Sequence, residues 1–126
     1  MLVVDDDPEV LSLLIEVLEL AGYEVDHAVN GRDALEAIEE CRPDLILTDL
    51  IMPVLDGWHF IERCRERADC ANVPVLVISA FAQMPETEER MQRLSVETCM
   101  AKPFDLDDVV AHVDDVLKRR HHRSAA

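Results

Sequence analysis

The stretch of sequence that decides the fold is LVVDDDPEVLSLLIEVLELAG, residues 2–22. It begins with a short apolar run typical of a buried β-strand and then turns acidic. Asp7 followed by Pro8 indicates a helix start, because aspartate caps the first amide groups and proline fits the first helical position. Apolar residues then recur at helical spacing up to Gly22, a C-terminal cap, which predicts a helix over residues 8–21. Its predicted inner face contains Val10, Leu13, Leu14, Val17 and Leu18.

The same strand-then-helix pattern returns four more times along the chain. Short apolar runs alternate with segments of helical period, as in repeated βα units around a parallel sheet. The second helix should face inward through Ala34, Leu35, Ile38 and Cys41, and the helix over 85–94 is the weakest of the set. The predicted strands cover residues 1–4, 23–29, 45–47, 73–79 and 98–101. The pattern predicts an α/β fold, a doubly wound parallel sheet with helices on both faces.

Composition narrows the class of protein further. The chain has 126 residues, 49% of them hydrophobic, and carries 27 acidic against 12 basic side chains, a net charge of −15. That length suits one domain, and that charge argues against direct nucleic-acid binding through the phosphate backbone. The longest uncharged apolar run, residues 73–82, is too short for a membrane span. The first residues of the sequence do not have the pattern of a secretory signal. The four cysteines show no paired pattern, so we expect reduced thiols and a cytoplasmic protein.

Polar side chains follow four of the five predicted strands. Asp5 and Asp6 end strand 1, Asp49 ends strand 3, Ser79 ends strand 4 and Lys102 follows strand 5. In doubly wound sheets, ligands bind at the carboxyl ends of the strands. Three carboxylates brought together there repel one another and need a cation, and Mg²⁺ prefers such oxygen ligands. With Asp49 as nucleophile, the metal and the ammonium of Lys102 would neutralise an incoming phosphoryl group, to which Ser79 can donate a hydrogen bond.

Four short motifs fall in a fixed order: LVVDDD (residues 2–7), TDLIMPVLDG (48–57), VISA (77–80) and KPF (102–104). Their order and spacing resemble the receiver domain of two-component response regulators, of the kind found in chemotaxis regulators. The likeness extends over nearly the whole chain. It implies a flavodoxin-like doubly wound (βα)5 fold with a five-stranded parallel sheet in the strand order 2-1-3-4-5.

The resemblance also implies roles for residues. Asp49 would be the phosphoacceptor, phosphorylated by a histidine kinase or a phosphotransfer protein, with Ser79 and Lys102 as the other catalytic side chains. Helix 4, strand 5 and helix 5 would form the face that signals the phosphorylated state to a downstream effector. A homodimer through the same face is also compatible with the resemblance. Such a protein is a signalling switch and not an enzyme in the ordinary sense, since it catalyses only its own phosphorylation and dephosphorylation.

The metal ligands implied by the resemblance are Asp5, Asp6, Asp49 and Ile51. Asp6 would bind Mg²⁺ directly, Asp5 largely through water, and Ile51 through its backbone carbonyl. The domain is expected to cover residues 1–120, with a disordered tail at 121–126.

Three positions depart from the usual pattern of the family. Cys99 stands where an aromatic switch residue is common, so a rotating aromatic ring cannot operate there. Ile51 and Phe81, two positions after the phosphoacceptor and the switch serine, are apolar where the family often has polar groups. We expect them to hinder the attacking water and lengthen the life of the phosphoryl group.

Two other functions compete with the switch. A degenerate receiver that only binds proteins draws its support from Cys99, but the complete set of acids argues against it. A phosphohydrolase of the haloacid dehalogenase type also uses an aspartyl nucleophile and magnesium. That class needs a second aspartate two residues later, where this chain has Ile51.

Overall fold

The computed structural model describes residues 1–68, 70–80 and 84–125, with side chains up to residue 120. Strands and helices alternate throughout these segments, as predicted. In chain order they are β1 (Leu2–Val4), α1 (Pro8–Leu20), β2 (Asp26–Ala28), α2 (Gly31–Glu40), β3 (Ile46–Thr48), α3 (Gly57–Glu66), β4 (Val75–Ser79), α4 (Pro85–Arg93), β5 (Thr98–Ala101) and α5 (Leu106–Ala125).

The five strands form one parallel sheet in the order β2-β1-β3-β4-β5. Strand β1 pairs on both sides, so that Val3 stands opposite His27 of β2 and Leu47 of β3. Strand β2 lies on one side of β1, whereas β3, β4 and β5 follow on the other side. The strand order therefore reverses between β1 and β3. Such a reversal opens a crevice at the carboxyl ends of these strands. The fold class and strand order predicted from the sequence are confirmed.

Helices cover both faces of the sheet, because alternate residues of each strand point to opposite sides. On one face, Leu2 and Val4 of β1 pack in a cluster with Phe60 of α3. On the other face, Val3 packs in a cluster with Leu14 of α1 and with residues of α5. Helix α4 contributes least, since Thr87 is its one buried residue. The weakness predicted for the fourth helix from its sequence agrees with this shallow packing.

Two predictions about inward-facing residues are wrong. The buried stripe of α1 is Leu11, Leu14 and Leu18, whereas Leu13 is 48% exposed. Cys41 does not face the core either, because α2 ends one residue earlier and Cys41 is its exposed, extended C-cap. The apolar spacing in α1 fitted more than one rotation of the helix, and packing against the sheet selected one of them.

Element ends also differ from the predicted ones. Strand β2 is shorter than residues 23–29 because the chain before it closes α1: Gly22 at φ +99° donates its N–H to Glu19, and Tyr23 donates to Leu18. Helix α5 continues to Ala125, into the range where the sequence analysis places the tail. The side chains of the tail predicted at 121–126 lie outside the described residues, so that boundary stays a prediction. Within the described part of the chain, no helix is long and apolar enough to cross a membrane.

Candidate functional site

Three carboxylates meet at the crevice between β1 and β3. Asp5 and Asp6 follow β1, Asp49 follows β3, and one oxygen of each lies within 4.8 Å of the other two. Asp5 and Asp49 are almost fully buried, at 1% and 7% exposure, whereas Asp6 is open to solvent. The acids that the sequence predicts at the strand ends are therefore brought together into one pocket, with Asp6 on its exposed side.

A lysine that follows β5 contacts two of these acids. The Nζ of Lys102 donates to Oδ2 of Asp49 at 2.7 Å and to Oδ2 of Asp5 at 3.3 Å. Its backbone N–H donates to the carbonyl of Ser79 at 3.0 Å, and the bond from Lys102 to Pro103 is cis. The end of β5 thus places the ammonium group between the two buried carboxylates.

The backbone holds Asp49 in a fixed orientation. Its N–H donates to the carbonyl of Val4 at 3.0 Å, which continues the pairing of β3 with β1. Its carbonyl accepts from the hydroxyl of Thr48 at 2.8 Å, and its Oδ1 accepts from the N–H of Leu50 at 2.7 Å. One carboxylate oxygen is therefore fixed by the main chain, while Oδ2 faces Lys102 and the pocket.

A contact beneath Asp49 was not predicted from the sequence. Gly57, the first residue of α3, donates its N–H to the carbonyl of Leu50 at 2.8 Å. A Cβ at this position would lie 2.7 Å from the Cα of Leu50 and closer still to the carbonyl oxygen of Asp49. The glycine therefore lets α3 begin directly against the strand end that carries Asp49. The sequence signal for this contact is the pair Asp56–Gly57 before a helical pattern, and Asp56 is the N-cap of α3.

The electrostatics of the pocket reflect an excess of negative charge. Burial raises the pKa of Asp5, as does the nearby charge of Asp49, against the opposing effects of the Asp7 N–H and of Lys102. Burial alone would lower the pKa of Lys102, but hydrogen bonds and attraction to Asp49 and Asp5 outweigh it and raise that pKa. Three carboxylates and one ammonium leave a surplus of two negative charges, which one divalent cation would balance.

The donor set fits magnesium. It consists of carboxylate oxygens, the hard ligands that Mg²⁺ prefers, and the exposed Asp6 leaves an open side for water and a phosphoryl oxygen. The residues that would hold the ion are Asp5, Asp6 and Asp49.

The other predicted site residues lie around this pocket. Ser79 is fully buried at the end of β4, opposite Ala101 of β5, and Lys102 follows Ala101 along the chain. Ile51 is 58% exposed, and its N–H lies 3.5 Å from Oδ1 of Asp49. Cys99 is half-buried on β5, where burial raises the pKa of its thiol, so it packs as a small neutral side chain. Phe81 lies outside the described residues.

A contact between helices lies next to the pocket. The guanidinium of Arg90 on α4 is centred 5.4 Å from the ring of Trp58 on α3, a cation–π geometry. Together with Ile51 and Met84, these residues line a groove of about 310 Å³. Trp58 is half-buried, with its ring against Arg90.

A five-stranded parallel sheet of this order, with acids and a lysine at its carboxyl edge, defines the flavodoxin-like class of the chemotaxis-regulator type. The sequence profile described as the response regulator receiver domain matches residues 1–114, and the chain belongs to that family. Receiver domains are signalling domains of two-component systems, and they are not enzymes in the ordinary sense.

Similar proteins support this membership. The transcriptional regulatory protein PrrA of Mycobacterium tuberculosis is 40% identical over 119 residues, 94% of this chain and 50% of PrrA. Sporulation initiation phosphotransferase F of Bacillus subtilis is 34% identical over 86% of this chain and 85% of its own. The chemotaxis response regulator CheY4 of Vibrio cholerae superposes with a TM-score of 0.85 at 29% identity, covering 91% of this chain and 95% of CheY4. The chain spans about half the length of several regulators that it matches.

Proposed function

We propose that this protein is a phosphorylation-operated switch that accepts a phosphoryl group on Asp49 in a Mg²⁺-dependent reaction. The observation that carries the proposal is the position of Lys102, whose Nζ bridges Asp49 and Asp5 at 2.7 and 3.3 Å. An ammonium held against a buried carboxylate, beside two further acids, is the arrangement that phosphoryl transfer to aspartate requires.

The two oxygens of Asp49 have different tasks in this proposal. Oδ1 accepts from the N–H of Leu50 and keeps the carboxylate oriented. Oδ2, held by Lys102, attacks phosphorus, and the bond from phosphorus to the donor breaks as the new P–O bond forms. The ammonium of Lys102 then contacts the phosphoryl oxygens, where the negative charge develops. Ser79, one strand away, donates its hydroxyl to one of those oxygens.

Magnesium would neutralise negative charge on the phosphoryl group and on the acids. Asp5, Asp6 and Asp49 would hold it, with the backbone carbonyl of Ile51 as a further ligand. Until the ion binds, Lys102 is the cation that contacts Asp5 and Asp49 in the described part of the chain. Ion binding and phosphorylation are therefore coupled through the same two carboxylates.

The route to the output begins at Ser79 and Lys102. Lys102 directly follows β5, and its N–H bonds to the end of β4, so a shift of its ammonium pulls on both strands. Helix α4, with one buried residue, is the element that costs least to move. We propose that α4, β5 and α5 report the phosphorylated state to an effector, and that this face is where a homodimer would form.

The phosphodonor is a histidine kinase or a phosphotransfer protein, and the reaction takes place in the cytoplasm. Exposed acids on α1, with Glu9 in the first turn next to the pocket and Glu16 and Glu19 further along the helix, offer a docking surface for a basic region of that partner. The net charge of −15 disfavours direct contact between this domain and nucleic acid.

The deciding experiment is incubation with Mg²⁺ and acetyl phosphate, followed by intact mass spectrometry. We expect one added phosphoryl group in the wild type and none in Asp49→Asn. Asp44→Asn is the matched control, because Asp44 is an exposed acid just before β3 and should not affect the adduct. Removing Mg²⁺ with EDTA should abolish the adduct as well.

Two other outcomes point to the competing functions. A folded protein that forms no adduct with any phosphodonor would be a degenerate receiver that acts as a binding module. Rapid turnover of phosphoesters without an accumulated adduct would identify a phosphohydrolase.

A further inference from the structure

Helix α4 is anchored to α3 at its carboxyl end. Arg65 of α3 donates its Nε to the carbonyl of Leu94 at 2.7 Å and its Nη2 to the carbonyl of Ser95 at 3.3 Å. Leu94, the C-cap of α4, is buried in the apolar cluster that contains Phe60 of α3. Nη1 of the same arginine binds three carbonyls of the segment after α3, so the guanidinium is held on both sides. The end of α4 that leads to β5 therefore has little freedom to move.

The amino end of α4 is attached less firmly. Its N-cap, Met84, makes no side-chain hydrogen bond to the helix and is 46% exposed. From the middle of the helix, the exposed Arg90 reaches α3, and its guanidinium carbon lies 5.4 Å from the centre of the Trp58 ring. A cation–π contact at an exposed site is weaker than the set of hydrogen bonds made by Arg65. The two ends of α4 are therefore held with very different strength.

A groove separates the amino half of α4 from the residues that follow Asp49. It has a volume of about 310 Å³ and is lined by Met84 and Thr87 from the α4 side and by Leu50 and Ile51 after β3. Met84 and Ile51 are both exposed, so the groove is open to solvent. The amino half of α4 can move into this space, whereas the buried carboxyl end is packed on all sides that face the core.

Trp58 is fixed to the strand end that carries Asp49, whereas Arg90 moves with α4. Trp58 follows Gly57, whose N–H binds the carbonyl of Leu50, the residue after Asp49. The tryptophan also packs against the apolar cluster under α3. A displacement of α4 relative to the end of β3 therefore changes the distance between the guanidinium of Arg90 and the ring of Trp58.

We propose that the contact of Arg90 with Trp58 holds α4 in its unphosphorylated position, and that α4 pivots about the end bound by Arg65 when this contact opens. The inference rests on the proposed phosphorylation of Asp49 and adds the interaction that opposes the response. A contact made in the resting position alone must be lost when the switch turns, so its free energy lowers the affinity of the pocket for a phosphoryl group. Removing the contact should raise that affinity by the same factor.

The test measures the binding of beryllofluoride, a mimic of a phosphoryl group on aspartate, to the full chain in the presence of Mg²⁺. Isothermal titration calorimetry gives the dissociation constant. We expect Arg90→Gln to bind about threefold more tightly than the wild type, the factor that an exposed cation–π contact supplies. Arg90→Lys, which keeps a cation, should fall between the two. In a Trp58→Leu background, Arg90→Gln should have no further effect, because the contact is already absent.

Arg93→Gln is the matched control. It removes the same charge from the same helix, but Arg93 lies at an exposed position 4.0 Å from Glu62 instead of against the tryptophan. An exposed ion pair at this distance contributes little, so the variant should bind beryllofluoride with the affinity of the wild type.

Two further measurements follow the position of α4 itself. Trp58 is the one tryptophan of the chain, so quenching of its fluorescence by acrylamide reports the exposure of its ring. Quenching should rise when beryllofluoride binds the wild type, and it should already be high in Arg90→Gln without the ligand. In hydrogen-exchange mass spectrometry, beryllofluoride should speed exchange in peptides from residues 84–90 and leave residues 91–97 unchanged.

The outcomes separate this inference from the proposed function. Equal affinities of the wild type and Arg90→Gln, or equal gains in Arg90→Gln and Arg93→Gln, would overturn the role of the contact while Asp49 remains the phosphoacceptor. An exchange response of equal size in both groups of peptides would overturn the pivot. A wild type that binds no beryllofluoride, or an Asp49→Asn variant that binds it equally well, would overturn both proposals.

Discussion

Replacing Gly57 by alanine tests the close contact beneath the proposed phosphoacceptor. The added methyl would point at main-chain atoms, with the Cα of Leu50 at 2.7 Å and the carbonyl of Asp49 nearer still. No side-chain rotation relieves such a contact, because the obstacles belong to the backbone. Ordinary contacts of a Cβ begin near 3.4 Å, so the strand end and α3 must separate by about 1 Å.

The expected cost follows from this geometry. Inserting a methyl into a packed interior costs about 1–3 kcal/mol, and the rigid obstacle places this case near the upper end. Alanine is more stable than glycine in a helix, which offsets about 0.5–1 kcal/mol of this loss of stability. The free energy of unfolding should therefore fall by about 2 kcal/mol. A displacement of Asp49 by about 1 Å should also slow phosphorylation by about a hundredfold.

Gly22→Ala is the matched control. Gly22 has φ +99° and nothing within 4 Å of an added Cβ, so its cost is backbone strain alone, about 1–2 kcal/mol. It follows the far end of α1, about 20 Å along the helix from the acid pocket, and phosphorylation should proceed at the wild-type rate. Urea denaturation followed by circular dichroism gives the stabilities, and intact mass with acetyl phosphate gives the rates.

The combined result decides whether the contact positions Asp49. Both variants should be destabilised, but only Gly57→Ala should be slow to phosphorylate. The reasoning is refuted if the folded Gly57→Ala protein accepts phosphoryl groups at the wild-type rate, or if its stability lies within 0.5 kcal/mol of the wild type.

Three further predictions concern other parts of the molecule. Arg65→Ala removes hydrogen bonds to five carbonyls and should lower the free energy of unfolding, measured by urea denaturation, by about 3 kcal/mol. Arg63→Ala is the control and should lower it by less than about 0.5 kcal/mol. Similar losses in the two variants would contradict the role of these hydrogen bonds. Burial, and then the hydrogen bond to Asp114, raise the pKa of Tyr23 from 10.0 to about 12. Because the unfolded state loses this proton first, stability should fall as pH rises from 10 to 12, and Tyr23→Phe should lack that part of the slope. Ile51→Asn should shorten the life of the phosphoryl group, measured as loss of the mass adduct, since Ile51 lies exposed beside Asp49; an unchanged rate would refute its role as a barrier to water.

The sequence predicted the parts of the fold that depend on local patterns. The capping of α1 by Asp7 was predicted correctly, because a cap is fixed by residues within one turn. The rotation of α1 was not, since Leu11 and Leu13 have the same hydrophobicity and only contact with the sheet distinguishes them.

For the candidate site, the order of motifs placed the acids and Lys102 at one edge of the sheet. The contacts that orient Asp49 could not be predicted, because they are made by backbone groups that any residue carries. The bond from the Leu50 N–H and the approach of Gly57 are of this kind. The hydrogen bonds of Arg65 could not be predicted for a similar reason, since its acceptors, such as Val73, are backbone carbonyls.

The segment between Asp49 and α3 is fastened at two points. Gly57 binds the carbonyl of Leu50, and Gly31 at the start of α2 binds the carbonyl of Leu55, at 2.8 and 2.9 Å. An inserted or deleted residue would break one of these bonds or push Asp49 off the sheet edge. Evolution can therefore vary this segment by substitution at its outward-facing positions, such as the 74% exposed Val54, but its length is constrained.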